Sequence, residues 1–89
     1  MTLYNFNVLE LNEKMQVVNE QGKYLDNFIT ENLNFNLYAI DMFFVEVEYN
    51  KQLNKITKIK SFKGGYLLDR YSNLSNNQFW LINYFLTRF

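Results

Sequence analysis

Apolar and polar residues alternate most densely between Phe35 and Phe62, and this stretch predicts a sheet around which the rest of the chain is arranged. The run from Phe35 to Asn50 is too long for one ordinary strand of about 5–6 residues. Asp41-Met42 interrupts it, and Asp favours turns because its side chain bonds to nearby backbone. A two-residue turn there pairs Ile40 with Phe43 and Tyr38 with Val45. It places Tyr38, Ile40, Phe43, Val45, Val47 and Tyr49 on one continuous apolar face, expected to be the core face that carries the helices. Leu37, Ala39, Phe44, Glu46 and Glu48 fall on the other face.

A second turn at Asn50–Asn54 leads into a strand over residues 54–63. Its Ile56 and Ile59 are three apart, so a regular strand cannot point both to one side. Either a bulge lies between them or Ile56 belongs to the turn. Lys58 and Lys60 are expected to face out beside Glu46 and Glu48 of the neighbouring strand, where opposite charges contribute roughly 0.2–1 kcal/mol per pair. Upstream, residues 23–30 alternate imperfectly and predict a first strand, with residues 31–34 as the turn out of it.

Helices flank the strands. Residues 7–21 carry Val8, Leu11, Met15 and Val18 at helical spacing, with Asn7 as N-cap and Glu10 three residues later. Gly22 is placed to end this helix in the left-handed conformation. After Gly64-Gly65, residues 66–71 predict one or two helical turns. Residues 76–89 predict a further helix, started by Ser75 and Gln78. Phe79, Ile82, Phe85 or Leu86, and Phe89 form its stripe, but Trp80, Leu81 and Tyr84 lie off it. A helix apolar nearly all round is buried on two sides or is an interface. Phe79, Trp80, Tyr84, Phe85 and Phe89 are therefore the candidate interface. The expected fold is α+β and one domain over residues 1–89. It has an N-terminal helix, a four-stranded antiparallel meander (23–30, 35–40, 43–50, 54–63), and one or two C-terminal helices packed on one sheet face.

The strands carry a resemblance. Leu37-Tyr38, Asp41, Phe43, Val45-Glu46-Val47 and Tyr49-Asn50 are followed by Asn54, Ile56, Ile59 and Ser61-Phe62-Lys63. This pattern resembles a family of short bacterial proteins of unknown function, common in Bacteroidota-type genomes, and the likeness covers roughly residues 6–72. Family members usually place Gly or Asn after the turn Asp, where this chain has Met42. The resemblance implies the same α+β fold and brings no activity or site residue with it.

Composition narrows the chemistry. Nine Phe, seven Tyr and one Trp give a small chain bulky rings for its core. There is no Cys, which excludes disulfides and thiolate catalysis, and no His, which removes the commonest general base and transition-metal ligand. No cofactor and no metal are expected. Glu46 and Glu48 could at most hold a hard cation, and Asp41 with Glu46 would be the only candidate acid–base pair. Gly64-Gly65 lacks the spacing of a phosphate loop, and Asn73-Leu74-Ser75 is a glycosylation sequon by pattern alone. The first ten residues lack a basic region followed by an apolar run, and residues 79–89 are too short to span a bilayer, so a cytoplasmic protein is expected.

The formal net charge is zero but unevenly spread. Residues 1–50 hold two Lys against eight acids, and residues 51–89 hold five Lys and two Arg against Asp69. Lys51, Lys55, Lys58, Lys60 and Lys63, with Phe62, Tyr66 and Arg70, form the pattern that single-stranded nucleic acid would require of a basic strand. The leading expectation is a non-enzymatic protein-interaction or self-associating domain. The alternatives are single-stranded nucleic-acid binding through Lys55, Lys58, Lys60 and Lys63, or a regulatory, antitoxin-type protein whose acidic half masks a basic partner.

Overall fold

In a computed structural model that describes residues 1–63, two helices precede four strands. They are α1 (Leu3–Asn7), α2 (Leu11–Gln21), β1 (Lys23–Ile29), β2 (Leu33–Ile40), β3 (Phe43–Asn50) and β4 (Lys55–Phe62). The strands form one antiparallel meander in the order β1-β2-β3-β4, giving the α+β architecture that the pattern predicts. The C-terminal helices expected over 66–71 and 76–89 lie outside the described residues.

The turn at Asp41-Met42 sets the register. Ile40 pairs with Phe43 and Tyr38 with Val45, as the alternation requires. Asp41 takes a φ of 49°, whereas Met42 does not enter the positive range. A type I′ turn needs positive φ at both positions, and Met42, unlike Gly or Asn, would be strained there. The hairpin therefore closes with one left-handed residue.

Between β3 and β4, Glu46 faces Lys60, Glu48 faces Lys58, and the register then slips so that Tyr49 faces Ile56. Thr57 is the extra residue of this bulge, and the bulge returns Ile56 to the side of Ile59. A second slip in β1, between Tyr24 and Asp26, accounts for its imperfect alternation.

The β3–β4 loop is held by its own polar groups. Asn50 Oδ1 accepts from the backbone N–H groups of Gln52 and Leu53, each at 3.0 Å. Asn54 has a φ of 53°, and its Oδ1 accepts from the Tyr49 hydroxyl. Asn54→Ala places a Cβ residue without that acceptor in a left-handed site, and should cost roughly 1–2 kcal/mol. Asn54→Gly keeps the conformation and should cost less than half as much. Urea denaturation of the two variants checks the order, and equal losses would show that the side-chain bond, not the φ, matters here.

The helical layer departs from the expectation of one helix over 7–21. Thr2 caps α1, its Oγ1 accepting from Asn5 N at 3.1 Å. The chain then breaks at residues 8–10 before α2 begins. At the new start, Glu13 Oε1 accepts from Glu10 N at 2.9 Å, so the capping pair is Glu10 with Glu13 rather than Asn7 with Glu10. Asn7 instead closes α1 and accepts from the Ser61 hydroxyl of β4. The cause is Phe6, which is fully buried with its ring centroid 5.5 Å from that of Phe43. Docking Phe6 turns Val8 outward.

Gly22 differs as well. Its φ of −74° and ψ of 136° are extended, not left-handed. A Cβ there would lie 2.5 Å from the Val18 carbonyl oxygen, so close approach of the backbone, not handedness, demands glycine.

Phe6 and Val18 cluster with Ile40, Phe43, Val45, Val47 and Ile59, with Tyr38, Met15 and Ile56 packed around them. This is the predicted core face. The opposite face is not the solvated surface that Glu46 and Glu48 suggested. Leu37, Ala39 and Phe44 are buried there, and Glu46 is only 2% exposed. The physical reason is that three of its five residues are apolar, and a strand apolar on both sides is covered on both sides.

Candidate protein-interaction surface

Breaking the helix at residues 8–10 leaves apolar side chains in water. Tyr4 and Val8, four apart along α1 and its C-cap, are 77% and 83% exposed. Leu11, at the start of α2, is 46% exposed. Because Phe6 occupies the inner side of this short helix, Tyr4 is left on the outer side by helical geometry.

Beside Leu11 an open groove of about 580 Å³ runs between α2 and β4. Its apolar lining is Leu11, Met15 and Ile56, and its polar lining is Asn12, Gln16, Asn19 and Glu20. Gln16 Nε2 donates to Glu20 Oε1 at 3.1 Å, holding one rim in place. The bulge at Thr57 is what brings Ile56 to this side of the sheet. Apolar floor and amide rim together suit a hydrophobic side chain on a peptide backbone. Among the described residues, the lining contains no hydroxyl or thiol nucleophile.

Lys55, Lys58 and Lys60 of the basic strand share the second sheet face, and Lys63 lies apart from them. Lys58 and Lys60 stand opposite Glu48 and Glu46 on the second sheet face, and Lys55 stands opposite Asn50. Lys63 lines a separate cleft of about 180 Å³ with Thr2, Leu3, Asp41 and Met42. Lys51 Nζ donates to the Thr30 carbonyl at 2.8 Å. Phe62, the aromatic that a base would stack on, is buried and stacked on Phe44 with centroids 5.8 Å apart.

The carboxylates are also dispersed. Glu48 Oε2 accepts from Thr57 Oγ1 at 2.8 Å, Asp41 pairs with the Met1 amino group at 2.5 Å, and Glu46 is buried mid-strand. Asp41 and Glu46 thus occupy different parts of β3 and its turn, not one cleft. Among the described residues, no group of three or more acidic side chains could hold a metal, and no helix is long and apolar enough to cross a membrane. At the outer edge of the sheet, partial burial pushes the Tyr24 hydroxyl up from its usual range, with Asp26 and Tyr38 adding to the shift.

Phe79, Trp80, Tyr84, Phe85 and Phe89 lie outside the described residues. The exposed Tyr4 and Val8 escaped the sequence reading, which assigned Val8 to a buried stripe. Thr2 as an N-cap and the aromatic at Phe6 were the signals that could have found the earlier helix. Compared with protein-family models, curated proteins and solved structures, the chain matches none. The functional reading therefore rests on geometry.

Proposed function

We propose that this chain is a non-enzymatic protein-interaction domain that binds its partner through the outer surface of the α1–α2 layer. The observation that carries this reading is the exposure of Tyr4 and Val8 on a helix whose other side is anchored in the core, next in sequence to the Leu11–Met15–Ile56 groove. Scattered apolar residues on a surface are ordinary, but a large aromatic and a branched aliphatic on one short helix, followed by an apolar groove with an amide rim, have the composition of an interface centre. The partner is either a second copy of this chain or another protein with an apolar anchor residue.

The test is a double variant, Tyr4→Lys/Val8→Lys, which touches no core contact. Light scattering over a concentration series should show the original chain assembling, or affinity capture from native extract should retain a protein, and the double variant should lose that binding at least about tenfold, the effect of removing ~1.4 kcal/mol at a hot spot. A monomer at every concentration that also captures nothing the variant fails to capture would sink the proposal. The basic strand is not favoured as a nucleic-acid site, because Lys58 and Lys60 stand opposite Glu48 and Glu46 and its aromatic, Phe62, is buried.

A further inference from the structure

β1 is the first strand in the order β1-β2-β3-β4. One of its long sides pairs with β2, and among the described residues the other is open. Natural sheets guard such an edge with Pro, Lys or a bulge. Here the guard is confined to one end. The register slips between Tyr24 and Asp26, whereas Asp26, Asn27, Phe28 and Ile29 are regularly paired and Thr30 continues them. The stretch from Asp26 to Thr30 contains neither Pro nor Lys.

Thr30 N donates to the Leu33 carbonyl at 2.8 Å, so the backbone of Thr30 faces β2. Along an antiparallel strand, successive residues turn their backbone groups to opposite sides. Phe28 and Asp26 therefore face β2 as well, and Asn27 and Ile29 present N–H and C=O groups to the open edge. Asn27 N meets only a local acceptor there, Asp26 Oδ1 at 2.8 Å, in an exposed contact between sequence neighbours. Tyr24 and Ile29 are 50% and 57% exposed along the same edge. The end of the strand is fixed in place. Thr30 Oγ1 accepts from Leu33 N at 3.0 Å, and Lys51 holds the Thr30 carbonyl.

We propose that β1 of a second copy of this chain adds to this edge, antiparallel, about a two-fold axis at Phe28, joining two meanders into one continuous sheet. Charge selects this occupant. Lys23 stands at one end of the strand and Glu31 just past the other. Both are exposed, and neither is in an ion pair among the described residues. Antiparallel self-pairing brings Lys23 of each copy alongside Glu31 of the other, whereas parallel pairing would set like charges together. The axis falls at Phe28 because that centre pairs Asp26 with Thr30 and leaves the bulge outside. An axis at Asp26 would oppose two carboxylates, and one at Asn27 would draw the bulge into the ladder. In this register Asn27 exchanges backbone bonds with Ile29 of the second copy, and the Asn27 N–H passes from Asp26 to a carbonyl. The edge is already rigid, so little further ordering opposes the pairing.

This edge is separate from Tyr4, Val8 and the Leu11–Met15–Ile56 groove, so the test is made in the Tyr4→Lys/Val8→Lys background. Sedimentation velocity at low ionic strength and millimolar concentration should show a dimer there. Amide hydrogen exchange at Asn27 and Ile29 should slow by about tenfold or more as the dimer fills. Lys23→Glu or Glu31→Lys alone should weaken dimerisation by about fivefold or more, since the axis repeats each contact, and the two together should restore it. Ile29→Pro removes an outward N–H and leaves the β2 ladder intact, so it should abolish the dimer. A monomer in the Tyr4→Lys/Val8→Lys background, a dimer whose Asn27 and Ile29 amides exchange at an unchanged rate, or a Lys23→Glu/Glu31→Lys variant no better than either single change would each overturn the proposal.

Discussion

Phe6→Ala is expected to destabilise the domain by about 3–5 kcal/mol, the range for removing a fully buried aromatic ring. Phe6 is fully buried, packs its ring on Phe43, and lies within a cluster that includes Val18, Ile40, Val45 and Ile59. The Lys14 ammonium sits 5.9 Å from its ring centroid, so a modest cation–π contribution is lost as well. At roughly 0.05–0.15 kcal/mol per residue, a chain of this size has a total stability of about 4–13 kcal/mol. The loss is therefore a large fraction of the whole. Phe6→Leu keeps most of the volume and should cost about 1–2 kcal/mol.

The control is Val8→Ala. If the helix ran unbroken from residue 7 with Val8 on its buried stripe, Val8→Ala would be costly and Phe6→Ala nearly silent. In the observed fold the order is reversed, because Val8 is in water and Phe6 is not. Urea midpoints followed by far-ultraviolet circular dichroism decide it. A Phe6→Ala loss below about 1 kcal/mol, too small for any buried ring, would mean that α1 does not dock on the sheet.

The contrast explains which parts of the fold could be read from the chain. The strands were legible because their signals are local and redundant. Asp41 and Asn50 mark the turns, the alternation from Tyr38 to Tyr49 fixes the register, and the three-residue spacing of Ile56 and Ile59 marks the bulge. A one-residue error in any of these would turn an apolar set to the wrong face, so the pattern tolerates few alternatives. The N-terminal helix was less legible because two solutions compete. Val8, Leu11, Met15 and Val18 have good helical spacing, but that stripe offers no aromatic, and burying Phe6 against Phe43 outweighs it. A short helix capped by Thr2 is the cost of that choice.

The second sheet face was misread for a different reason. Glu46 and Glu48 at alternate positions looked like the mark of a solvated side, with Lys58 and Lys60 as their partners. The register does set Glu46 opposite Lys60 and Glu48 opposite Lys58, but the run Phe43-Phe44-Val45 is apolar without alternation, which is the pattern of a strand buried on both faces. The candidate surface suffered most, because Tyr4 and Val8 are exposed only as a result of where Phe6 goes. A surface defined by what the core rejects cannot be found until the core is placed.

Gly22→Ala is expected to lose about 1–3 kcal/mol, the typical cost of forcing atoms into a packed site. Replacing glycine in an extended conformation ordinarily stabilises by about 0.4–1 kcal/mol, because the unfolded chain loses freedom. Gly22, at φ −74°, should show that gain if conformation were all that mattered. The steric term opposes it and is larger. The new Cβ would stand 2.5 Å from the Val18 carbonyl oxygen and 3.3 Å from both the Val18 carbonyl carbon and Tyr38 Cδ1. The Val18 oxygen cannot turn aside, because it accepts from Gly22 N at 2.8 Å and so closes the last turn of α2. Relief requires the end of α2 to lift from β2, which strips packing from Val18. Gly22→Asn separates this account from the left-handed cap that the sequence suggested. Asn tolerates the left-handed region, so it would restore stability at a true left-handed cap. Against a steric wall it brings the same Cβ as Ala and should be no better. Thermal unfolding of the two variants should therefore give matching losses, with amide shift changes centred on Val18 and Tyr38, and recovery by Asn alone would refute the steric explanation.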